Sequence, residues 1–112
     1  GLSLGNQDVY LNIAGGMKIS EPAADLGIIA TVASSYKNVP IPQSTVVMGE
    51  VGLTGEVRRI NLIEKRLKEA EKLGFKACII PENNKKVLKD NYKLDIIGVK
   101  SIGDMLRILK IK

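Results

Sequence analysis

Three glycines spaced three apart, Gly49, Gly52 and Gly55, lie in the run GEVGLTGEVRRINLIEKR and are the first residues of this 112-residue chain to suggest ligand chemistry. Such a stretch can cradle a phosphate through its backbone amides, or it can turn a hairpin. A Walker loop continues through Gly-Lys-Ser/Thr into a helix, whereas Gly55 is followed by Glu56 and the extended run Val57-Arg58-Arg59-Ile60. No helix opens at these glycines either, so a dinucleotide fingerprint does not fit. A hairpin is the expected structure. Cys78, the single cysteine, sits in the apolar run ACII and reads as a small core residue, not a nucleophile. The chain has no histidine, which excludes Ser/His and Cys/His catalysis and any ordinary zinc site.

Charge is the second source of chemistry. Residues 1–56 carry two basic and five acidic residues, a net of −3, while residues 57–112 carry the other fifteen basic residues and seven acids, a net of +8. The positive excess of the second half suits a surface facing phosphates, although a solvated basic face with no partner would look the same. Arg58 and Arg59 beside the hairpin, and Lys85 and Lys86 after Pro81, are the candidate phosphate contacts. Tyr10, Tyr36, Phe75 and Tyr92 are not interleaved with the lysines, so a base-stacking platform for single strands is not expected.

The elements that must position these residues can be read in order. Asp8 to Ala14 alternates as a strand and Gly15-Gly16 ends it. Ser20 is a suitable N-cap and Pro22 is tolerated in a first helical turn, and the apolar run Ala23 to Tyr36 predicts a helix buried on most sides. The prolines of NVPIPQ force a loop, and Thr45 to Gly49 reads as a buried strand leading into the hairpin. Leu62 to Leu73 is amphipathic, with Gly74 as its stop. At about 100° per residue, Arg66 falls inside the apolar arc of that helix, while Lys65, Lys68 and Lys72 form a basic stripe on the opposite face. Strands over Lys76–Ile80 and Leu94–Val99, a short polar helix or turn over Glu82–Asn91 between them, and a last helix capped by Ser101 complete the chain. The order β-α-β-β-α-β-(α)-β-α predicts an α/β (α+β) fold, a mixed sheet with packed helices in one domain over residues 1–112.

Hydrophobic content of 45% with 26% charged residues is that of an ordinary globular protein. No apolar run approaches the roughly 20 residues of a membrane span, and no signal-peptide pattern opens the chain, so the expectation is a cytoplasmic protein with no membrane partner. The abrupt start GLSLGNQ suggests a piece of a longer polypeptide.

The runs DVYLNIAGGMKISEPAADLGIIATVASS and VVMGEVGLTGEVRRINLIEKRLKEAEKLGFKACIIPENN closely resemble the C-terminal Lon-like domain of the RadA (Sms) family of bacterial DNA repair proteins. The wider Lon pattern has GPSAG at a helix start, a glycine-rich hairpin, then KEK in the next helix. Laid on this chain without gaps, GPSAG falls on Glu21-Pro22-Ala23-Ala24-Asp25 and KEK on Glu64-Lys65-Arg66. The nucleophile position is thus Ala23 and the base position Arg66. Alanine offers no nucleophilic atom and a guanidinium does not give up its proton, so the resemblance implies a peptidase scaffold without peptidase chemistry. It further implies a non-catalytic part of a DNA recombination ATPase that supports a hexameric ring and contacts single-stranded or branched DNA through phosphates. ATP, Mg and Zn would be bound by N-terminal domains outside these residues, with no cofactor here. The rival readings are a working Ser/Lys peptidase domain, disfavoured by Ala23 and Arg66, and an oligomerisation module alone. Arg66, placed by its helical angle within the buried arc, is expected to reach a carboxylate or helix-end carbonyls near Ala23, with Asp25 and Glu21 the nearest acidic candidates.

Overall fold

The computed structural model describes residues 21–112, so the expected strand over residues 8–14, its glycine stop and the Ser20 cap lie outside the described residues. A 3-10 turn, Pro22–Ala24, leads into α1 (Asp25–Lys37). Then come β1 (Thr45–Val47), the hairpin strands β2 (Glu50–Val51) and β3 (Val57–Arg58), α2 (Ile63–Lys72), β4 (Ala77–Pro81), the short α3 (Glu82–Lys85), β5 (Asp95–Val99) and α4 (Ile102–Ile108).

Among the described residues the sheets divide in two. One is parallel, in the order β1-β4-β5, with Val46 opposite Cys78 and Ile79 opposite Ile97; the other is the antiparallel β2-β3 pair, with Val51 opposite Val57. Parallel neighbours need crossover connections, and α2 and α3 lie in them. Side chains alternate across a strand, so the two faces of the parallel sheet bury different residues. On one face Val46, Cys78 and Ile80 meet Ile63, Leu67 and Ala70 of α2. On the other Val47, Ile79 and Val99 meet Met105 of α4 and Leu109 just beyond it. The molecule is therefore an α/β fold with helices against both faces, as the order of predicted elements implied.

Helix α1 contributes to both cores, with Ala24 just before it and Ile28 on one side and Leu26 and Ala30 on the other. Its burial is less complete than its sequence suggests: Val32 is 56% and Tyr36 82% exposed near its C-terminal end. The helix ends on Asn38 in the left-handed region, and α2 ends as expected with Gly74 at φ 87°, where the Phe75 N–H returns to the Ala70 carbonyl at 3.1 Å. Ser101 caps α4, its hydroxyl accepting from the Asp104 N–H at 3.1 Å.

Candidate functional site

Two neighbouring pockets gather the residues that sequence singles out. The first lies over the start of α1. The Gly49 N–H donates to the Ala23 carbonyl and the Leu26 N–H to the Gly49 carbonyl, both at 2.9 Å, which ties the helix start to the strand leaving β1. A Cβ on Gly49 would stand 3.0 Å from Val57 Cγ1 and 3.2 Å from Leu26 Cδ2, so any side chain here would crowd both neighbours. Across from Ala23, α2 opens on Leu62, a non-glycine residue at φ 58° with its side chain 61% exposed. That left-handed residue aims the first turn of α2 so that Arg66 points inward.

Arg66 is 5% exposed, the most buried of the charged side chains among the described residues. Its Nε donates to the Asn61 carbonyl and its Nη2 to Asn61 Oδ1, each at 2.9 Å, while Nη2 also reaches Glu21 Oε2 at 3.4 Å. The expected carboxylate partner is thus Glu21 and not Asp25, which accepts from the Val51 N–H at 3.3 Å and braces the hairpin. Ala23 and Arg66 line one cavity of about 420 Å³ with Glu50, Arg59, Ile60 and Leu62. Lys65, one residue from the position that would carry a base, is exposed and does not line it.

The second pocket, about 840 Å³, lies on the other side of Arg59. Arg58, Arg59 and Lys86 all line it, so the structure brings three of the four candidate phosphate contacts together. Lys85 is not in its lining; its chain lies with Glu82 over Gly98, where there is no room for a Cβ. Lys100, which the sequence reading passed over, completes the basic set, and Glu56 and Glu82 stand among the cations. Nothing in the local pattern around Lys100 marks it; the parallel register of β5 beside β4 places it there.

Glu56 organises the hairpin. Its carboxylate accepts from the Thr54 hydroxyl at 2.6 Å and amide at 3.1 Å, and from Arg58 Nε at 3.1 Å and Nη2 at 2.8 Å. It lies directly over Gly52, which leaves no room for a Cβ, and Gly55 takes φ 83° to close the turn. All three glycines thus have structural causes, and the hairpin is what they build. The Thr54 hydroxyl first and the Arg58 guanidinium second bring the Glu56 carboxyl down from 4.5 to about 2. Because its folded value is the lower one, its bonds should be complete above pH 4.5 and lost only as the pH falls through about 2. Carboxyl-carbon NMR titration checks this, and a midpoint near the ordinary value would refute the arrangement.

The basic stripe on α2 is partly engaged. Lys68 pairs with Asp90 at 2.9 Å, and Glu64 accepts from the Lys89 N–H at 3.0 Å and from the Tyr92 hydroxyl. That hydroxyl holds the Glu64 carboxyl below its usual range, while burial first and Glu64 second push the Tyr92 phenol up. This face of α2 therefore anchors the segment after α3. Cys78 is fully buried, and burial pushes its thiol well above its ordinary value, which suits a core residue. Asn84 of α3, missed as a functional position, is 2% exposed and grips the segment between β3 and α2: its Oδ1 accepts from the Ile60 N–H at 2.9 Å and its Nδ2 donates to the Ile60 carbonyl at 3.0 Å. Asparagine at that place in IIPENN was the only signal, and its contact is 24 residues away.

Among the described residues no three His, Cys, Asp or Glu side chains gather as they would around a metal ion, and no helix is long and apolar enough to cross a membrane.

Comparison with known proteins bears on the whole chain. It is 49% identical over 107 residues to the DNA repair protein RadA of Listeria monocytogenes, 50% over 107 to that of Bacillus subtilis, and 47% over 108 to that of Halalkalibacterium halodurans. Each match covers 96% of this chain but only 23 or 24% of the relative, so the chain spans about a quarter of the curated relatives' length. A family model described as subunit ChlI of Mg-chelatase matches residues 1–84; that description names a subunit of another enzyme and lends this chain no activity. With that match over most of its 112 residues, the chain belongs to the family described as subunit ChlI of Mg-chelatase, in a form similar to a part of RadA.

Proposed function

We propose that this chain is a non-catalytic, Lon-like domain of a RadA-type DNA repair protein, contacting DNA through phosphates without reading base sequence. The observation that carries the reading is the gathering of Arg58, Arg59, Lys86 and Lys100 around one open pocket. Phosphate contacts position a nucleic acid and carry no sequence information directly, and the described aromatic residues add no stacking surface to that pocket. Arg58 already shares its guanidinium with Glu56, so Arg59, Lys86 and Lys100 should carry more of the affinity.

A salt titration of this chain with a single-stranded oligonucleotide tests the reading. Binding should fall with salt at a log–log slope of about −0.7 per phosphate contacted, with no preference between sequences. Arg59→Glu should weaken binding more than Arg58→Glu, and Glu56→Gln should tighten it and steepen the slope by about one contact, because it releases Arg58. A salt-independent affinity, or none at low salt, would sink the proposal.

The absence of peptidase activity is part of the same reading. It rests on the methyl group of Ala23 and on the three hydrogen bonds that hold the Arg66 guanidinium beside it. Hydrolysis of a fluorogenic peptide by pure protein would restore the Ser/Lys-type alternative. In the longer protein we place this domain in a hexameric ring, with ATP, Mg and Zn bound by other domains. A purely assembling role is the second reading, favoured by Leu53, which stands fully exposed at the hairpin tip. Sedimentation of the chain with and without Leu53→Ser separates the two.

A further inference from the structure

The cavity over Ala23 holds a donor that no described residue answers. Arg66 uses Nε and Nη2 on Asn61 and Glu21, and its Nη1 donates to nothing among the described residues. No side-chain nitrogen or oxygen sealed from solvent among the described residues lacks a partner, so Nη1 is not sealed, and Arg66 is a lining residue of this cavity. Arg59 lines the same space and forms no ion pair among the described residues. A buried guanidinium is pre-set in direction by its other bonds, so an acceptor meeting its free edge gives up little freedom.

Charge balance narrows the ligand. Two guanidinium groups, Arg59 and Arg66, share this cavity with two carboxylates, Glu21 and Glu50, whereas the neighbouring pocket has four cations to two acids. A polyanion entering here would meet both carboxylates. A ligand with one carboxylate and a cationic or N–H group beside it finds a complement for each. The remaining lining, Pro22, Ala23, Ile60 and Leu62, is small or apolar. About 420 Å³ is room for a group of amino-acid size.

We propose that this cavity binds the α-carboxylate of an amino acid or of a peptide end, with the carboxylate on Arg66 Nη1 and Arg59 and the adjoining ammonium or peptide N–H on Glu50. The site shares Arg59 with the nucleic-acid surface, but its occupancy is read at Arg66, Ala23 and Asn61, which do not line that surface. The test is an NMR titration of the chain, labelled to show the Arg66 Nε–H and the Ala23 and Asn61 amides, with alanine, N-acetylalanine, alaninamide and inorganic phosphate. Saturable shifts at these three positions are expected with alanine, N-acetylalanine or both, and not with alaninamide. Response to alanine alone assigns a free amino acid; response to N-acetylalanine assigns a peptide end. Arg59→Gln, an exposed change that leaves the fold in place, should weaken the response about tenfold, as loss of one charged hydrogen bond does. No saturable shift with either carboxylate, an equal response to alaninamide or to phosphate, or an unchanged affinity in Arg59→Gln overturns the proposal.

Discussion

Asn84→Ala should lower the unfolding free energy by about 3 kcal/mol, because it removes the two hydrogen bonds on Ile60 and leaves a buried N–H and a buried carbonyl unanswered. The carboxamide imitates a strand: one acceptor and one donor face the backbone of Ile60 at 2.9 and 3.0 Å, where among the described residues no other strand pairs. A methyl group can replace neither. Asn84→Asp separates the two halves of the effect, keeping the acceptor for the Ile60 N–H while setting an oxygen against the Ile60 carbonyl. It should be at least as damaging at neutral pH and recover in part under acid, where the carboxyl becomes a donor. Chemical denaturation measures both, and a loss under 1 kcal/mol for the alanine variant would show that water replaces the amide. Ile60 lines the smaller pocket and directly follows Arg59, which lines both, so the variant should also blunt oligonucleotide binding.

Leu67→Ala should be comparably severe, at about 3 to 4 kcal/mol. Leu67 is wholly buried on the inner face of α2, against the sheet face that holds Val46, Cys78 and Ile80. Removing its branched end loses the transfer free energy of those carbons and opens a cavity that a sheet and a helix cannot close. For a domain of this size, such a loss should lower the melting temperature by about 15 °C or more. Leu73→Ala is the matched control: it lies just past the same helix, is 46% exposed, and should cost under 1 kcal/mol. Equal effects at the two positions would mean that α2 does not dock as described.

Periodicity puts Leu67 and Leu73 in one apolar arc, yet the structure buries only Leu67; Leu73, like Leu62 at the other end, is a cap residue beyond the docked turns and stays half-exposed. The same reasoning put Arg66 within the apolar arc, and the structure buries it. Periodicity does not report what a buried polar group touches. Asp25 and Glu21 were equal candidates for Arg66, and only the docking of the turn before α1 against α2 selects Glu21. Lys68 shows the limit on the other face: its position on the stripe was right, but Asp90, its partner, comes from a segment whose path depends on Glu64, Glu71 and Tyr92. The grouping of Arg58, Arg59 and Lys86 could be proposed from charge, since a hairpin arm and a strand end each display their side chains outward. Adding Lys100, and setting Lys85 apart, needed the strand register.

The parallel pairing of β1 with β4 also sets an order of events. Residue 45 meets residue 77 only after the hairpin and the whole of α2 have been enclosed between them, whereas the hairpin joins residues 51 and 57 directly. A turn of that kind forms in microseconds, and a closure spanning a helix is far slower. The rate at which the chain reaches its native state should therefore respond to substitutions at the Val46–Cys78 contact and hardly to those at the hairpin tip. Lengthening the tip around Leu53 would add little to the entropy of the closure, since each doubling of a loop costs only about 0.6 kcal/mol. The tip is thus the part of the molecule that evolution, or an experimenter, can rebuild without delaying the assembly of either pocket.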